Sequence, residues 1–376
     1  MKSPIRILHL ITSLNMGGAE IALLRLMESM DREKFEMQVV SMIPMGPIGE
    51  KIRAFGVPVT SLEMAPGSPG LGGLIRLIKI LKQFQPAILQ TWLYHADLLG
   101  LLAAKLSKTH VVIWNIRSAE MDFSQYSKLS GLVLQICAFF SSIPTAVVVN
   151  SQAGQILHTR LGYHPKQWRF IPNGIDVTRF TPEYNAGLMI RQEWNIGDNE
   201  ILIGHVARID PQKDHDTLLR AAALVQKVDP GIHFVCVGTG PASYWNEIKT
   251  LATKLGLTNL LWAGPRSDMP AIYNAMNILV SPSKGEGFPN VVAEAMACGI
   301  PCVVTDVGDS KILIGNSGIC IPPENPEALA KSILKMRELS RSERIHLGEI
   351  ARSRIVEHYS LDRMSGSYSN LYQEFS

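Results

Sequence analysis

The chain is predicted to fold as two doubly wound α/β domains, each a parallel sheet with helices on both faces. Three observations carry that prediction. Short apolar runs alternate with longer amphipathic ones from end to end, the pattern of strand–helix–strand units. After Thr181 the alternation starts again, so the series is doubled. Finally, 376 residues, 46% of them apolar and 18% charged, supply material for two cores at roughly 150 residues per domain and exclude a disordered chain.

In the first series, strand-like runs occupy 5–11, 37–42, 87–90, 111–114, 146–149 and 169–171, and the clearest helical pattern occupies 19–30. In the second, strands are expected at 201–206, 233–237, 260–262, 278–280, 301–304 and 318–321, with helices at 217–228, 244–255 and 326–339. The boundary is placed at 182–183, after the turn Pro172-Asn173-Gly174-Ile175-Asp176. In open parallel sheets ligands bind beyond the carboxyl ends of the strands, so the loops that follow strands should hold the chemistry.

Composition narrows the function classes. With 36 basic and 33 acidic residues the net charge is +3, too balanced for a nucleic-acid binder working by bulk charge. The charge is uneven, however: residues 1–180 carry 18 basic and 11 acidic side chains, and the remainder 18 and 22. The first half therefore suits an anionic surface, or simply presents a solvated basic face. Five cysteines, an odd number with no CxxC, read as reduced core residues of a cytoplasmic protein and not as a metal site. The start of the chain, Met1 to Leu10, has too short an apolar run for a signal peptide. Residues 129–159 lack formal charge, but Pro144 and the polar pairs Ser141-Ser142 and Asn150-Ser151 interrupt them, so a buried helix and a strand are expected there, not a membrane span.

Three loops concentrate chemistry. Gly17-Gly18, between the first strand and first helix, lets backbone approach a ligand and offers helix-start N–H groups to an anion, or makes a tight turn. Arg208 and Lys213 straddle Pro211 after the first strand of the second half, two cations placed to converge on a phosphate. Glu286 stands in the Gly-flanked loop Ser283-Lys284-Gly285-Glu286-Gly287-Phe288-Pro289, and Glu294 follows eight residues later inside an apolar helix. A carboxylate there is costly without partners, and sugar hydroxyls would serve. Asp214-His215-Asp216 has the look of a metal-binding Asp-x-Asp, but helix capping directly after Lys213 explains it better, and no metal is expected.

The Glu286–Glu294 spacing, the Arg208/Lys213 pair, Gly17-Gly18 and Pro172-Asn173-Gly174-Ile175-Asp176, in that arrangement, resemble the family-4 retaining glycosyltransferases of the GT-B fold. The resemblance covers essentially the whole chain. It implies two Rossmann-like domains facing a central cleft: an acceptor domain over 1–182, a nucleotide-sugar domain over 183–358, and a C-terminal helix over 359–376 crossing back to the first. It implies a UDP- or GDP-type sugar donor, with Glu294 on the ribose hydroxyls and Glu286 with the Gly287-Phe288-Pro289 backbone on the donor sugar. Arg208, Lys213 and the Gly18 backbone would hold the diphosphate; Gly238 and Arg266 would lie near the base. Two side-chain cations would replace a divalent metal, so no cofactor is expected.

On the acceptor side, His95 follows the strand 87–90, where the resemblance places a sugar-site histidine. After the next strand, where many relatives place another histidine, this chain has Asn115-Ile116-Arg117; Arg117 could face an anionic acceptor such as a lipid diphosphate. Residues 74–84 alternate an apolar stripe (Leu74, Leu77, Ile78, Leu81) with a basic one (Arg76, Lys79, Lys82), a helix able to lie on an anionic membrane or to cover the core. The function expected is transfer to a polysaccharide or lipid-linked glycan at the inner face of the membrane. A nucleotide-sugar epimerase of the same fold is the rival, followed by a two-lobed sugar-binding protein. An NAD oxidoreductase is disfavoured because Ser243 occupies the third glycine position of the GxGxxG fingerprint.

Overall fold

The computed structural model describes residues 3–65, 70–117 and 128–376, so Met1 and Lys2 of the N-terminal run lie outside the described residues. The chain divides into two compact units, one of residues 3–174 with the C-terminal segment 361–376 and one of residues 175–360. The division falls at Gly174–Ile175, eight residues before the turn-based boundary. Ile175 already belongs to the second unit because its N–H donates to Tyr359 O at 2.8 Å and it bridges Ser360.

In chain order the first unit contains β1 (Ile5–Ile11), α1 (Gly18–Ser29), β2 (Phe35–Ser41), α2 (Pro47–Ala54), β3 (Val59–Ser61), α3 (Leu71–Phe84) and β4 (Ile88–Trp92). It continues with α4 (Tyr94–Ser107), β5 (Val111–Ile116), α5 (Lys128–Phe140), β6 (Ala146–Val149), α6 (Gln152–Arg160) and β7 (Trp168–Phe170). Its strands form one parallel sheet in the order β3-β2-β1-β4-β5-β6-β7. The second unit runs through α7 (Tyr184–Glu193), β8 (Ile201–Val206), a 3₁₀ turn at Pro211–Lys213, α8 (His215–Val228), β9 (Ile232–Val237), α9 (Ala242–Lys254) and β10 (Leu260–Gly264). Then follow α10 (Met269–Ala275), β11 (Ile278–Ser281), α11 (Asn290–Ala297), β12 (Cys302–Thr305), α12 (Ser310–Ile314), β13 (Gly318–Ile321), α13 (Pro326–Glu338) and α14 (Arg341–His358). This second sheet, also parallel, has the order β10-β9-β8-β11-β12-β13.

Strand order reverses at β1/β4 in the first sheet and at β8/β11 in the second. Such a reversal opens a crevice at the carboxyl ends of the two central strands. The loops after these four strands carry Gly17-Gly18, His95, Arg208/Lys213 and Glu286. The topology thus puts these candidate residues at the switch point of each sheet, while Arg117, Gly238 and Arg266 follow β5, β9 and β10.

The last helix, α15 (Leu361–Phe375), packs into the first unit. Its Met364, Tyr368, Leu371 and Tyr372 are buried with Ile7, Val39 and Trp92 in one cluster. Two tyrosine hydroxyls reach the sheet: Tyr372 donates to Gln90, and Tyr368 accepts from Asn115 Nδ2 at 2.8 Å. Four-residue spacing puts both hydroxyls on one helix face. Among the described residues no helix is long and apolar enough to cross a membrane.

Candidate active site

In the second unit the site begins where β8 ends. Ala207 N–H donates to Val237 O at 3.0 Å and Ile209 N–H to Thr239 O at 2.9 Å, so the loops after β8 and β9 run side by side. That approach is possible because Gly238 adopts φ +142° and has no Cβ; one would come within 1.9 Å of Ala207 O. Gly238→Ala combines a left-handed backbone with a clash against a main-chain carbonyl, and is expected to destabilise by about 1–3 kcal/mol or more, read as a lower urea midpoint. A midpoint equal to wild type would show that the two loops separate freely.

Beyond Ile209 the chain is shaped by two aspartates. Asp210 accepts from Gln212 N–H at 3.0 Å, capping the 3₁₀ turn, and pairs with Arg208 at 3.0 Å. Asp214, itself at φ 49°, caps α8 by accepting from Thr217 N–H at 3.2 Å and Thr217 Oγ1 at 2.7 Å. Asp216 is bound by Arg220 Nε at 2.6 Å. The Asp-x-Asp is therefore a helix cap followed by an i,i+4 ion pair. Between the two caps Lys213 is held so that its Nζ lies 2.6 Å from Glu286 Oε1.

This ion pair is the polar centre of the unit's switch point. The Lys213 and Glu286 side chains are only 18% and 10% exposed, whereas Arg208 is 76% exposed on Asp210. Ser283 Oγ also donates to Glu286 Oε1, at 2.8 Å. Lys284 N–H donates to Gln212 O at 2.8 Å, tying the Glu286 loop to the Lys213 turn. From the third side, Asp309 N–H donates to Gly287 O at 3.0 Å, and a Cβ on Gly308 would strike Glu286 O, so the backbone at Glu286 and Gly287 is clamped. Phe288 is buried, its ring 5.6 Å from that of Tyr359. Pro289 occupies the N-cap position of α11, one place ahead of the first turn.

Glu294 lies on α11 among buried Val292, Ala293, Ala295 and Met296, and its Oε2 accepts from Tyr273 OH at 3.0 Å. Burial, then Glu294's charge, hold the Tyr273 phenol well above its ordinary pKa, so it stays a donor. Under Lys213, His205 of β8 and His215 of α8 pack ring to ring at 4.7 Å. Burial first, with the lysine's charge for His205 and the His205 ring and then the lysine for His215, lowers His205 to about 4 and His215 to about 2, so both are neutral at pH 7 and add no competing cation. Arg266, after β10, is held by two carboxylates, Glu193 at 2.5 Å and Asp268 at 2.7 Å.

In the first unit Gly17 is the N-cap of α1, in extended backbone, and Glu20 of the first turn folds back over it. A Cβ on Gly17 would come within 2.3 Å of Glu20 Oε2, while at Gly18 it would meet nothing within 4 Å. Glu20 is buried and accepts from Ser13 Oγ at 2.8 Å, so a carboxylate of the chain itself stands at this helix start. His95 sits in the first turn of α4, after Leu93 at φ 72°, ψ 152°, a strained backbone for a branched residue. Burial lowers the His95 imidazole pKa, which favours its neutral form. Asp97, two residues on and fully buried, accepts from Thr91 Oγ1 at 2.5 Å, and burial pushes its carboxyl well above the usual carboxylate range.

Arg117 is used in a way the sequence did not suggest. Its guanidinium donates to Asn173 Oδ1 and Tyr368 OH, both at 2.6 Å, and lies 4.7 Å over the Trp92 ring. It thereby fastens the ends of β4 and β5, the Pro172–Ile175 turn and α15.

Within the second unit, then, Lys213 and Glu286 are brought into contact. Arg208, Gly287, Phe288 and Pro289 lie along the same loops, Gly238 lies on the neighbouring loop after β9, and Glu294 and Arg266 have separate partners. Sequence reasoning missed Ser283, Tyr273 and Asp210, the groups that hold Glu286, Glu294 and Arg208. Asp210 and Ser283 lie two and three residues from their partners and were locally findable. Tyr273, 21 residues from Glu294, had no local signal.

Two family models match the chain: Glycosyltransferase Family 4 over residues 16–179 and Glycosyl transferases group 1 over residues 200–338. A UDP-Gal:alpha-D-GlcNAc-diphosphoundecaprenol alpha-1,3-galactosyltransferase of Escherichia coli is 26% identical over 84% of this chain and 82% of its own length. A D-inositol 3-phosphate glycosyltransferase of Thermomonospora curvata is 32% identical over 52% of this chain and 49% of its own. Among solved structures, Anabaena HepE in complex with UDP superposes with a TM-score of 0.86 at 20% identity, covering 98% of this chain and all of that one. A sucrose-phosphate synthase from Thermosynechococcus elongatus superposes at 0.81 and 20%, covering 98% of each chain. These likenesses share the GT-B architecture of two parallel α/β units. With both units matched by models that take in the Gly17-Gly18 turn, the Lys213 turn and the Glu286 loop, the chain belongs to the group 1, family-4 glycosyltransferases.

Proposed function

We propose that this enzyme transfers a sugar from a UDP-type donor to a lipid-linked glycan with retention of anomeric configuration and without a divalent metal. The observation that carries the reading is the Lys213–Glu286 pair at the β8/β11 switch point. Transfer develops positive charge on the sugar and negative charge on the leaving diphosphate. Lys213 has three N–H donors and can keep Glu286 while binding a diphosphate oxygen. Arg208, on the same turn, is exposed enough to turn from Asp210 to the diphosphate. Glu286 would hold donor-sugar hydroxyls, and Glu294 the ribose hydroxyls. The capping roles of Asp214 and the Arg220 pairing of Asp216 support the metal-free reading, since both carboxylates already have structural partners. The UDP in the HepE complex, and the UDP-sugar and diphosphoundecaprenol named for the E. coli relative, support the donor and acceptor classes. His95, neutral at the acceptor unit's switch point, would serve the acceptor or the transferred sugar. Five free cysteines accord with a reducing, cytoplasmic setting.

The test is product formation from UDP- and GDP-sugars with a lipid-diphosphate-linked sugar in EDTA, with the new linkage read by NMR. An α-donor giving an α-product supports the proposal. Inversion, loss of transfer in EDTA, or an epimerised donor without acceptor product would each overturn it.

Of the two readings of residues 74–84, cover for the core accounts for the apolar stripe, and any membrane contact would rest on other residues of α3. Leu77 and Leu81 are fully buried, so most of that stripe belongs to the core. Leu71 and Ile75 are the exposed apolar residues of α3, beside exposed Lys79 and Lys82. Reversing both lysines to glutamate is expected to weaken binding to anionic vesicles at low salt; equal co-sedimentation of the variant would remove the electrostatic contribution from the account.

A further inference from the structure

The helix α4 is built inside out. Small residues face the sheet: Ala96, Gly100, Ala103 and Ala104 are buried, and a Cβ on Gly100 would come within 2.4 Å of Thr91 Cγ2. Its leucines lie on the other faces: Leu98, Leu99 and Leu101 pack against the rim of the core cluster without being fully buried by it. Leu102 is 47% exposed. An ordinary surface helix does the reverse, burying its leucines and showing small or charged residues. Because α4 lies close to the sheet, the neighbouring helices α3 and α5 stand as walls. Between them opens a cavity of about 1240 Å³. Leu98, Leu99 and Leu102 line it from α4, Leu74 from α3, and Val133 and Phe140 from α5.

The polar groups of this trough sit at its ends. His95, with Thr12 and Ile43, lies past the carboxyl ends of the central strands; Lys105, Lys108 and His110 lie at the other end of α4. Along α4, Lys105 and Lys108 lie about 15 and about 20 Å from His95 at the helical rise per residue. No carboxylate lines the cavity among the described residues. The volume exceeds the roughly 300–1,000 Å³ of pockets for compact ligands, and the lining offers little hydrogen bonding along its length.

We propose that the trough between α3, α4 and α5 holds the hydrocarbon tail of the lipid-linked acceptor, with its head group at the His95 end. This rests on the lipid-linked acceptor proposed above. The occupant follows from continuity and charge: Leu98, Leu99, Leu101 and Leu102 line one cavity together with the acceptor-side histidine and with Lys105 and Lys108, two lysines suited to anionic lipid headgroups. A free sugar or a peptide would leave the leucine floor unmatched or meet no polar partners along it.

Binding of dansyl-labelled geranylgeranyl monophosphate to the full chain tests this without any transfer reaction. Saturable one-to-one binding is expected, competed by unlabelled geranylgeranyl monophosphate but not by inorganic phosphate or UDP. Leu102→Arg should weaken it at least tenfold, and Leu99→Ser should do so more mildly. Val228→Arg, at an exposed position on α8, controls for a nonspecific effect of the new charge. Melting temperatures verify that each variant folds; both leucines are partly exposed, so the serine variant keeps the test open if the arginine one does not fold. Competition by phosphate alone, unchanged affinity in a folded Leu102→Arg, or uptake only in proportion to added vesicle surface would overturn the trough, the last in favour of a face that rests on the bilayer. Tail binding without sugar transfer would leave the trough standing and remove the proposed acceptor. Transfer that is indifferent to tail length would do the opposite.

Discussion

Lys213→Ala is expected to lower kcat for sugar transfer by about 10²–10³, the loss seen when one preorganised donor to a developing anion is removed (~2.7–4 kcal/mol). The lysine is held between two capped turns with its ammonium on Glu286, so its position costs little reorganisation during reaction. Its loss also leaves the Glu286 carboxylate with Ser283 Oγ and no cation at 2.6 Å. The effect should fall on kcat more than on KM for the donor, because the diphosphate gains charge as the bond breaks. Initial rates at saturating donor check this, with the melting temperature verifying the fold. A loss below tenfold in a folded variant would assign the pair a structural role. Lys213→Arg should recover part of the rate, since it restores charge with a wider, planar head that fits the tight turn less well.

Glu294→Ala is expected to weaken donor binding by about 10²-fold while affecting kcat less. Hydrogen bonds to a charged acceptor contribute roughly 1.5–3 kcal/mol each, and a ribose offers two hydroxyls. The readout is thermal stabilisation by UDP. Ligand at 100 times its Kd stabilises by about 2.7 kcal/mol, and the same concentration at a hundredfold weaker Kd by only about 0.4 kcal/mol. The alanine variant also strips the buried Tyr273 hydroxyl of its acceptor, a cost of about 1–3 kcal/mol in the free protein. Glu294→Gln keeps an acceptor for Tyr273 and separates the two effects: its stability should approach wild type while UDP still binds weakly. Unchanged UDP stabilisation in both variants would place the nucleotide elsewhere.

Much of this architecture could be read along the chain because its signals are local. Strand and helix periods depend on near neighbours, and the strands 201–206 and 318–321 were placed residue for residue by their apolar runs. The parallel alternation then predicted that loops after strands carry the chemistry, and Lys213 and Glu286 do meet there. Other roles escaped because they depend on partners far away in sequence. Arg117 was a candidate for an anionic acceptor, yet its donors go to Asn173 and to Tyr368, the latter 251 positions on. Arg266 has its own distant partner as well, Glu193, 73 positions before it, beside the nearby Asp268. The stripe of 74–84 was legible as amphipathic, but amphipathicity does not say whether core or membrane takes the apolar face.

The sequence by itself determined the two α/β units, the loops that carry the candidate residues, and the family motif formed by Glu286, Glu294, Arg208 and Lys213. Only the tertiary structure decided that Lys213 pairs with Glu286 while Arg208 stays on Asp210, that Glu294 is held by Tyr273, and that α4 buries its small residues and leaves its leucines partly exposed. The physical reason is that a residue's type and spacing set what its own segment can form. Strand order and packing between segments set which polar groups meet, which glycines admit a neighbour, and which apolar faces remain uncovered.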